Sequence, residues 1–424
     1  MDTRIPVGTG AVNQGEDYRL QTAGTVALVM LVLAAVLTDW IQNYTAVYAI
    51  EAAALAMLAW FAVMGCVRRR SVRWSGLIVP IAAAACWPLA QLALGTTIYT
   101  HATLREALFG MAWFAVFFVA LQCFGDPGAR ERMRRWVVGG GCALAVLATV
   151  QMFTSGGKVF WIFPTGYKDF VMGPFLNRDH YSAVIELVLP VAVYQAFVER
   201  RDGWKWAVMA AAMTASVVAG ASRAGFLVIA AELAVCAAPA WIGRGAERGR
   251  TWQATGQILV VSVAFAAVVG WDVLWNRFQE EELWRDRWMM TRSAVAMARE
   301  RPWTGFGLGT FEFAYPAYAL FDRGTLVNHA HNDWAEWAAE GGLGYLAAMV
   351  AIVAGSLYVA RRARWAVGIP AVFAHSLVDY NLHTQPVALC LFLLLGAACA
   401  RGQGGQRELW AAAAASAAAA PKFT

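Results

Sequence analysis

The chain of 424 residues is 59% hydrophobic and only 15% charged, with 20 Trp. A mean hydropathy of +0.49 excludes a soluble globular domain, whose surface needs more polar residues than this chain has. The net charge of +6 follows membrane topology, as its placement below shows, and no nucleic-acid partner is expected.

Apolar runs long enough to cross about 30 Å of hydrocarbon as helices of about 20 residues recur from end to end. They lie near 23–39, 45–66, 75–94, 105–124, 137–153, 180–198, 206–221, 224–241, 255–273, 333–358, 365–380 and 385–400. The sequence predicts an all-α polytopic membrane protein with about twelve transmembrane helices. Lys and Arg in short loops mark the cytoplasmic side. Alternate connections carry Arg68, Arg69, Arg70 and Arg73, then Arg130, Arg132, Arg134 and Arg135, then Arg200, Arg201 and Lys205, then Arg244, Arg248 and Arg250, then Arg361, Arg362 and Arg364. The opposite short loops, near 40–44 and 381–384, carry none. Both termini are expected in the cytoplasm, with no cleavable signal in the polar start and a cytoplasmic tail over 401–424.

Two longer polar segments, 154–179 and 274–332, fall on the outer side of this layout. The seven Cys lie within or beside the apolar runs and none lies in either outer segment, so no disulfide framework is expected. All six His (His101, His180, His329, His331, His375 and His383) fall in the outer half of the membrane or beyond. A metal site built from His329, His331 and Asp333 or His383 was weighed, but no His-x-x-x-His spacing and no third ligand in the same segment support it. No metal or cofactor is expected.

The 274–332 loop has internal order. Trp284, Trp288, Thr291, Val295 and Ala298 recur at three- and four-residue steps, which predicts an amphipathic helix over 283–300 able to lie on the membrane surface. Arg285, Arg292 and Arg299 form a solvated stripe, while Arg287 lies on the other flank, as an interfacial snorkelling residue or a functional one. Pro302 ends the helix, and Gly305, Gly307 and Gly309 permit unusual backbone angles. His329-Ala330-His331-Asn332-Asp333-Trp334 then places polar groups at the start of a span, where they persist only when paired, hydrated or used. Arg223 is the other unusual charge, interrupting two apolar runs either as an outer turn or inside a cavity between helices.

These segments, in this order, resemble the O-antigen ligase and polymerase superfamily of bacterial membrane glycosyltransferases. Asn177-Arg178-Asp179-His180 is similar to the family's Asn-Arg-Asn-His segment, with Asp179 in place of the second Asn. Ser222-Arg223-Ala224-Gly225 is similar to its Ser-Arg-Gly turn, and Arg287 matches the arginine that opens the loop helix. Pro302 to Phe311 resembles its Pro-x-x-Gly-x-Gly-x-Gly-x-Phe turn. His331-Asn332 with Glu340-Gly341-Gly342 resembles its His-Asn and Glu-x-Gly pairing, and His375 to Asp379 a late His-Ser-x-x-Asp segment. The resemblance covers roughly 170–400, and 1–170 matches in hydropathy alone.

It implies a catalytic region over 171–400 that includes the periplasmic loop 274–332. It also implies an enzyme of the inner (cytoplasmic) membrane with its site facing the periplasm. The implied donor is a glycan on undecaprenyl diphosphate, and the implied acceptor is lipid A core (a ligase) or a second lipid-linked glycan (a polymerase); the ligase is favoured. A protein-glycosylating member is disfavoured by the short stretch after the last span. In these roles Arg223 and Arg287 hold the diphosphate, and His331, an imidazole able to take a proton near neutral pH, acts as base or hydroxyl positioner. Asn177, Arg178, His180, Asn332, Glu340, His375 and Asp379 are the expected substrate-binding residues. The expected reaction is a metal-independent displacement that inverts the anomeric centre. A lipid-linked glycan transporter would instead need ionisable groups spread through the membrane depth, whereas here they are expected to gather at the outer face.

Overall fold

The computed structural model describes residues 9–400, apart from 42, 69–70, 167–170, 200, 243–245, 270–273, 277–278, 280 and 322–323. The expected tail 401–424 lies outside the described residues. Five helices occupy the first part: α1 (Thr9–Thr38), α2 (Tyr44–Val67), α3 (Ile78–Leu94), α4 (Thr100–Cys123) and α5 (Pro127–Thr154). After a small antiparallel hairpin, β1 (Lys158–Val159) with β2 (Phe163–Pro164), come α6 (Arg178–Val198), α7 (Gly203–Ala219), α8 (Arg223–Ile242) and α9 (Ala246–Val269). The outer loop carries α10 (Glu281–Glu300), and the chain re-enters the bundle through α11 (Asp333–Arg362), α12 (Gly368–His375) and α13 (Gln385–Cys399).

Six of these helices, α1, α2, α4, α5, α6 and α11, are long and apolar enough to cross a membrane. Shorter apolar helices include α3 and α13. The protein is therefore a mostly helical multi-pass membrane protein. α4, α6 and α13 form its centre, with α6 buried continuously from Asp179 to Val193. Peripheral helices expose apolar side chains such as Val63, Val79, Val260 and Val263, a surface suited to hydrocarbon.

Two departures from the expected spans build the site. The run near 365–380 is not a continuous span. Its helix α12 covers only Gly368–His375, about 12 Å at 1.5 Å per residue, and the chain continues through a turn to a short 3-10 turn at Asn381–His383. Irregular backbone inside a membrane protein is tolerated only where protein buries it or it lines a cavity; Ser376, Asp379 and Asn381 are fully buried. Asp333 N–H donates to the carbonyls of Ser376 (2.9 Å) and Asp379 (3.3 Å), so the start of α11 meets some of this freed backbone.

The second departure is a kink in α11 at Gly342, whose φ of 66° and ψ of −171° leave the helix. Leu343 N–H is thereby released to donate to Pro302 O at 2.7 Å. The glycine turn docks there: Phe306 N–H donates to Ala339 O (3.0 Å) and Gly307 N–H to Glu340 O (2.9 Å). A Cβ on Gly305 would sit 2.2 Å from Glu340 O, and one on Gly342 would sit 2.5 Å from the Trp303 backbone. Both positions have positive φ, so glycine is required twice over, by angle and by space.

The loop helix α10 matches the expected segment and also packs a second face against the protein. Met290, Ala294 and Met297 form a buried cluster with Phe306, Phe311 and Ala339. Trp284, Trp288 and Val295 are instead exposed, leaving that face available to a membrane surface. Arg287 lies three residues before Met290 and four before Thr291, on the flank of the packed stripe, whereas Arg285, Arg292 and Arg299 are exposed.

Ionisable groups also occur deeper than expected. Glu186, within α6, is fully buried and accepts from His375 Nδ1 at 2.8 Å. Glu232 in α8 and Glu51 in α2 are buried as well. The expectation that charges gather only at the outer face is corrected by these three.

Candidate active site

The N-terminal ends of α6, α8, α10 and α11 converge on the turn after α12. At α6, Asn177 caps the helix: its Oδ1 accepts from Asp179 N–H at 2.8 Å, and its Nδ2 lies 3.1 Å from His180 Nε2. Asp179, on the first helical turn, accepts from Ser222 Oγ–H at 2.6 Å. Ser222 Oγ in turn accepts from Gly225 N–H at 3.0 Å, and the preceding Ala221 has φ of 52°. This sharp turn starts α8 on Arg223, whose guanidinium lies 4.7 Å over the Trp284 ring, a cation–π contact. Arg223 thus lies at the turn between α7 and α8.

Trp284 is three residues before Arg287 on α10, so one helical turn connects the two arginines. Arg287 Nη2 lies 3.2 Å from Asp179 Oδ2 and 3.5 Å from Asp379 Oδ2, and its Nη1 donates to Val378 O at 2.8 Å. Burial opposes its charge, but the Asp379 and Asp179 carboxylates outweigh this and hold the guanidinium above its ordinary range. Asp379, fully buried, is shared: its Oδ1 lies 3.0 Å from His331 Nδ1. His331 itself has φ of 51°, a left-handed conformation rare for a non-glycine residue and often found at functional positions. The Tyr380 ring contacts three imidazoles, edge-on to His180 (4.7 Å) and His331 (4.9 Å) and stacked on His329 (4.3 Å).

The structure therefore brings together His331, Arg287 and Asp379 directly, with Arg223 joined through Ser222–Asp179 and through Trp284. Several expected substrate-binding residues serve the fold. Asn332 Oδ1 caps α11 by accepting from Ala335 N–H at 3.0 Å. Glu340 is buried and accepts from Gly309 N–H (3.0 Å) and Phe311 N–H (2.6 Å), bracing the glycine turn. His375 is buried against Glu186. Asn177 and His180 pair with each other, and Arg178 is half-buried at the first position of α6.

Sequence reading passed over Asp179 and Tyr380. Asp179 was visible as the single departure from the Asn-Arg-Asn-His pattern, and its carboxylate meets Arg287 108 residues away. Two groups of side chains have the spacing to hold a metal ion. In Asp179, His375 and Asp379 the Arg287 guanidinium already supplies positive charge. In His329, Glu336 and His383, burial opposes a charge on His383, yet the Glu336 and Asp333 carboxylates outweigh it and hold its imidazole well above the ordinary histidine value.

A buried carboxylate lies between a histidine and an arginine at the end of the helical bundle, an arrangement chemically able to move a proton and hold an anion. A family model described as O-antigen ligase matches residues 208–347, a segment that includes Arg223, Arg287, His331 and the glycine turn. That segment, about a third of the chain, is thus similar to the O-antigen ligase family, in line with the resemblance carried by the motifs. No curated protein sequence matches the chain.

Proposed function

We propose that the protein transfers a glycan from an undecaprenyl diphosphate carrier to a sugar hydroxyl of lipid A core, at the periplasmic face of the bacterial inner membrane. The family match supports glycan transfer in general, and the His331–Asp379–Arg287 constellation is the observation that carries the mechanism. The acceptor oxygen attacks C1 of the donor sugar as the C1–O bond to the diphosphate breaks, inverting the anomeric centre. The hydroxyl proton passes to His331 Nε2. Its Nδ1–H donates to Asp379 Oδ1, 3.0 Å away, which fixes the tautomer and supports the imidazolium that forms.

The leaving diphosphate carries the developing negative charge, and Arg223 and Arg287 stabilise it there. Arg287 offers the N–H groups not directed at Val378, Asp179 and Asp379. Arg178 and His180 flank the donor's path, and the exposed Trp284 and Trp288 rest against membrane lipids. The transfer is metal-independent in this account, with 171–400 as the catalytic region and 1–170 as supporting spans.

Donor binding and chemistry separate experimentally. His331→Ala should still bind the lipid-linked glycan but lose transfer by about 10²- to 10⁴-fold, the range for a general base. Equal loss of donor binding would remove the base role.

A further inference from the structure

A second cluster of titratable side chains lies beyond Tyr380 from His331 and takes no part in that transfer. His329 Nδ1 is 2.7 Å from Glu336 Oε1, and His383 Nε2 is 3.5 Å from the same oxygen. All three ligand atoms lie within 4.8 Å of one another. Each is braced from behind. His383 Nδ1 lies 2.7 Å from Asp333 Oδ1, Asp333 Oδ2 accepts from Leu382 N–H at 3.1 Å, and Glu336 Oε2 accepts from Ala330 N–H at 2.7 Å. The His329 ring is stacked on Tyr380.

We propose that His329 Nδ1, Glu336 Oε1 and His383 Nε2 bind a divalent transition-metal ion of the zinc class. Metal–ligand bonds of about 2.0–2.1 Å in a tetrahedron set ligand atoms about 3.3 Å apart. The 3.5 Å pair fits this as it stands, and the 2.7 Å pair opens by about 0.6 Å. Two imidazoles and a carboxylate suit zinc better than magnesium or calcium, which prefer all-oxygen sets.

Charge points the same way. Asp333 and Glu336 are almost fully buried, and a divalent cation would balance both carboxylates. Donation from His383 Nδ1–H to Asp333 leaves the Nε2 lone pair facing the metal, the carboxylate–histidine–metal arrangement that orients ligands in metal sites. The side chain of His329 is 29% exposed, which leaves the fourth position to water.

This ligand set differs from the one weighed on sequence. His331 turns away to Asp379, and the third ligand is Glu336, seven residues beyond His329 across the start of α11. His383 arrives only because the 365–380 run is broken. The metal would join the loop before α11 to the Asn381–His383 turn. It makes no bond to donor or acceptor.

The test uses the purified full chain, stripped with a chelator and titrated with zinc by calorimetry, with elemental analysis of the product. One zinc per chain is expected, with a dissociation constant below about 1 µM. His329→Ala and Glu336→Gln should weaken binding at least 100-fold, and Asp333→Asn by about 10- to 100-fold. His331→Ala should bind zinc as the wild type does. Zinc should also raise the melting temperature of the wild type and not that of His329→Ala. Substoichiometric zinc, equal affinity in His329→Ala and wild type, or equal loss in His331→Ala would overturn the proposal. Because the readout is metal binding, its failure leaves the transfer mechanism standing, and the reverse holds too.

Discussion

Replacing Asp379 with Asn tests the arrangement at its joint. The substitution keeps the side-chain volume, and Arg287 retains Asp179 at 3.2 Å and Val378 O at 2.8 Å, so the fold should survive. What is lost is the charged acceptor 3.0 Å from His331 Nδ1. A hydrogen bond to a charged group contributes about 1.5–3 kcal/mol. At about 1.4 kcal/mol per tenfold in rate, transfer should slow by about 10- to 150-fold. The assay is the initial rate of glycan transfer by purified protein with saturating donor. If Asp379 acts through His331, adding Asp379→Asn to His331→Ala should cost less than about twofold more, the non-additivity expected of residues acting as one unit. A single mutant within about twofold of wild type, or an undiminished loss in the His331→Ala background, would refute the reasoning.

Arg223→Ala and Arg287→Ala should each abolish most transfer, while the exposed Arg285→Ala and Arg299→Ala should retain it; near-normal rates from folded Arg287→Ala protein would exclude its diphosphate role. His329→Ala should keep far more transfer than His331→Ala, compared by initial rates in the same preparation. Gly342→Ala should destabilise the protein by about 2 kcal/mol or more, because its Cβ meets Trp303 backbone at a positive φ; an unchanged melting temperature would contradict this. For topology, Gly324→Cys should react with an impermeant thiol reagent added outside and Arg361→Cys should not, both positions being exposed; the reverse pattern would invert the layout.

Hydropathy made the long apolar helices legible, because length and apolar content are properties of single segments. The break after His375 was not legible, since its cause lies in the partners that meet the freed backbone, Asp333 N–H above all. The protein-packed face of α10 was not legible for a related reason: Met290, Ala294 and Met297 are buried by Phe306, Phe311 and Ala339, partners outside the helix. At the site, His331, Arg287, Arg223 and Asp379 were named from motif order. Their wiring was not, because Asp179, Val378 and Asp379 reach Arg287 from segments at least 91 residues away along the chain. Glu340 and Asn332 show the opposite limit. Both sit in recognisable motifs, and the structure uses them to hold the glycine turn and the start of α11.

The central claim is glycan transfer through His331 to lipid A core. The most direct measurement reconstitutes purified protein with undecaprenyl diphosphate-linked glycan, with and without lipid A core, beside His331→Ala as control. The account predicts glycan on lipid A core with the wild type, none with His331→Ala, and an unchanged donor when the acceptor is omitted. Lengthening of the lipid-linked glycan in the absence of lipid A core would identify a polymerase instead, and equal product from wild type and His331→Ala would contradict the mechanism.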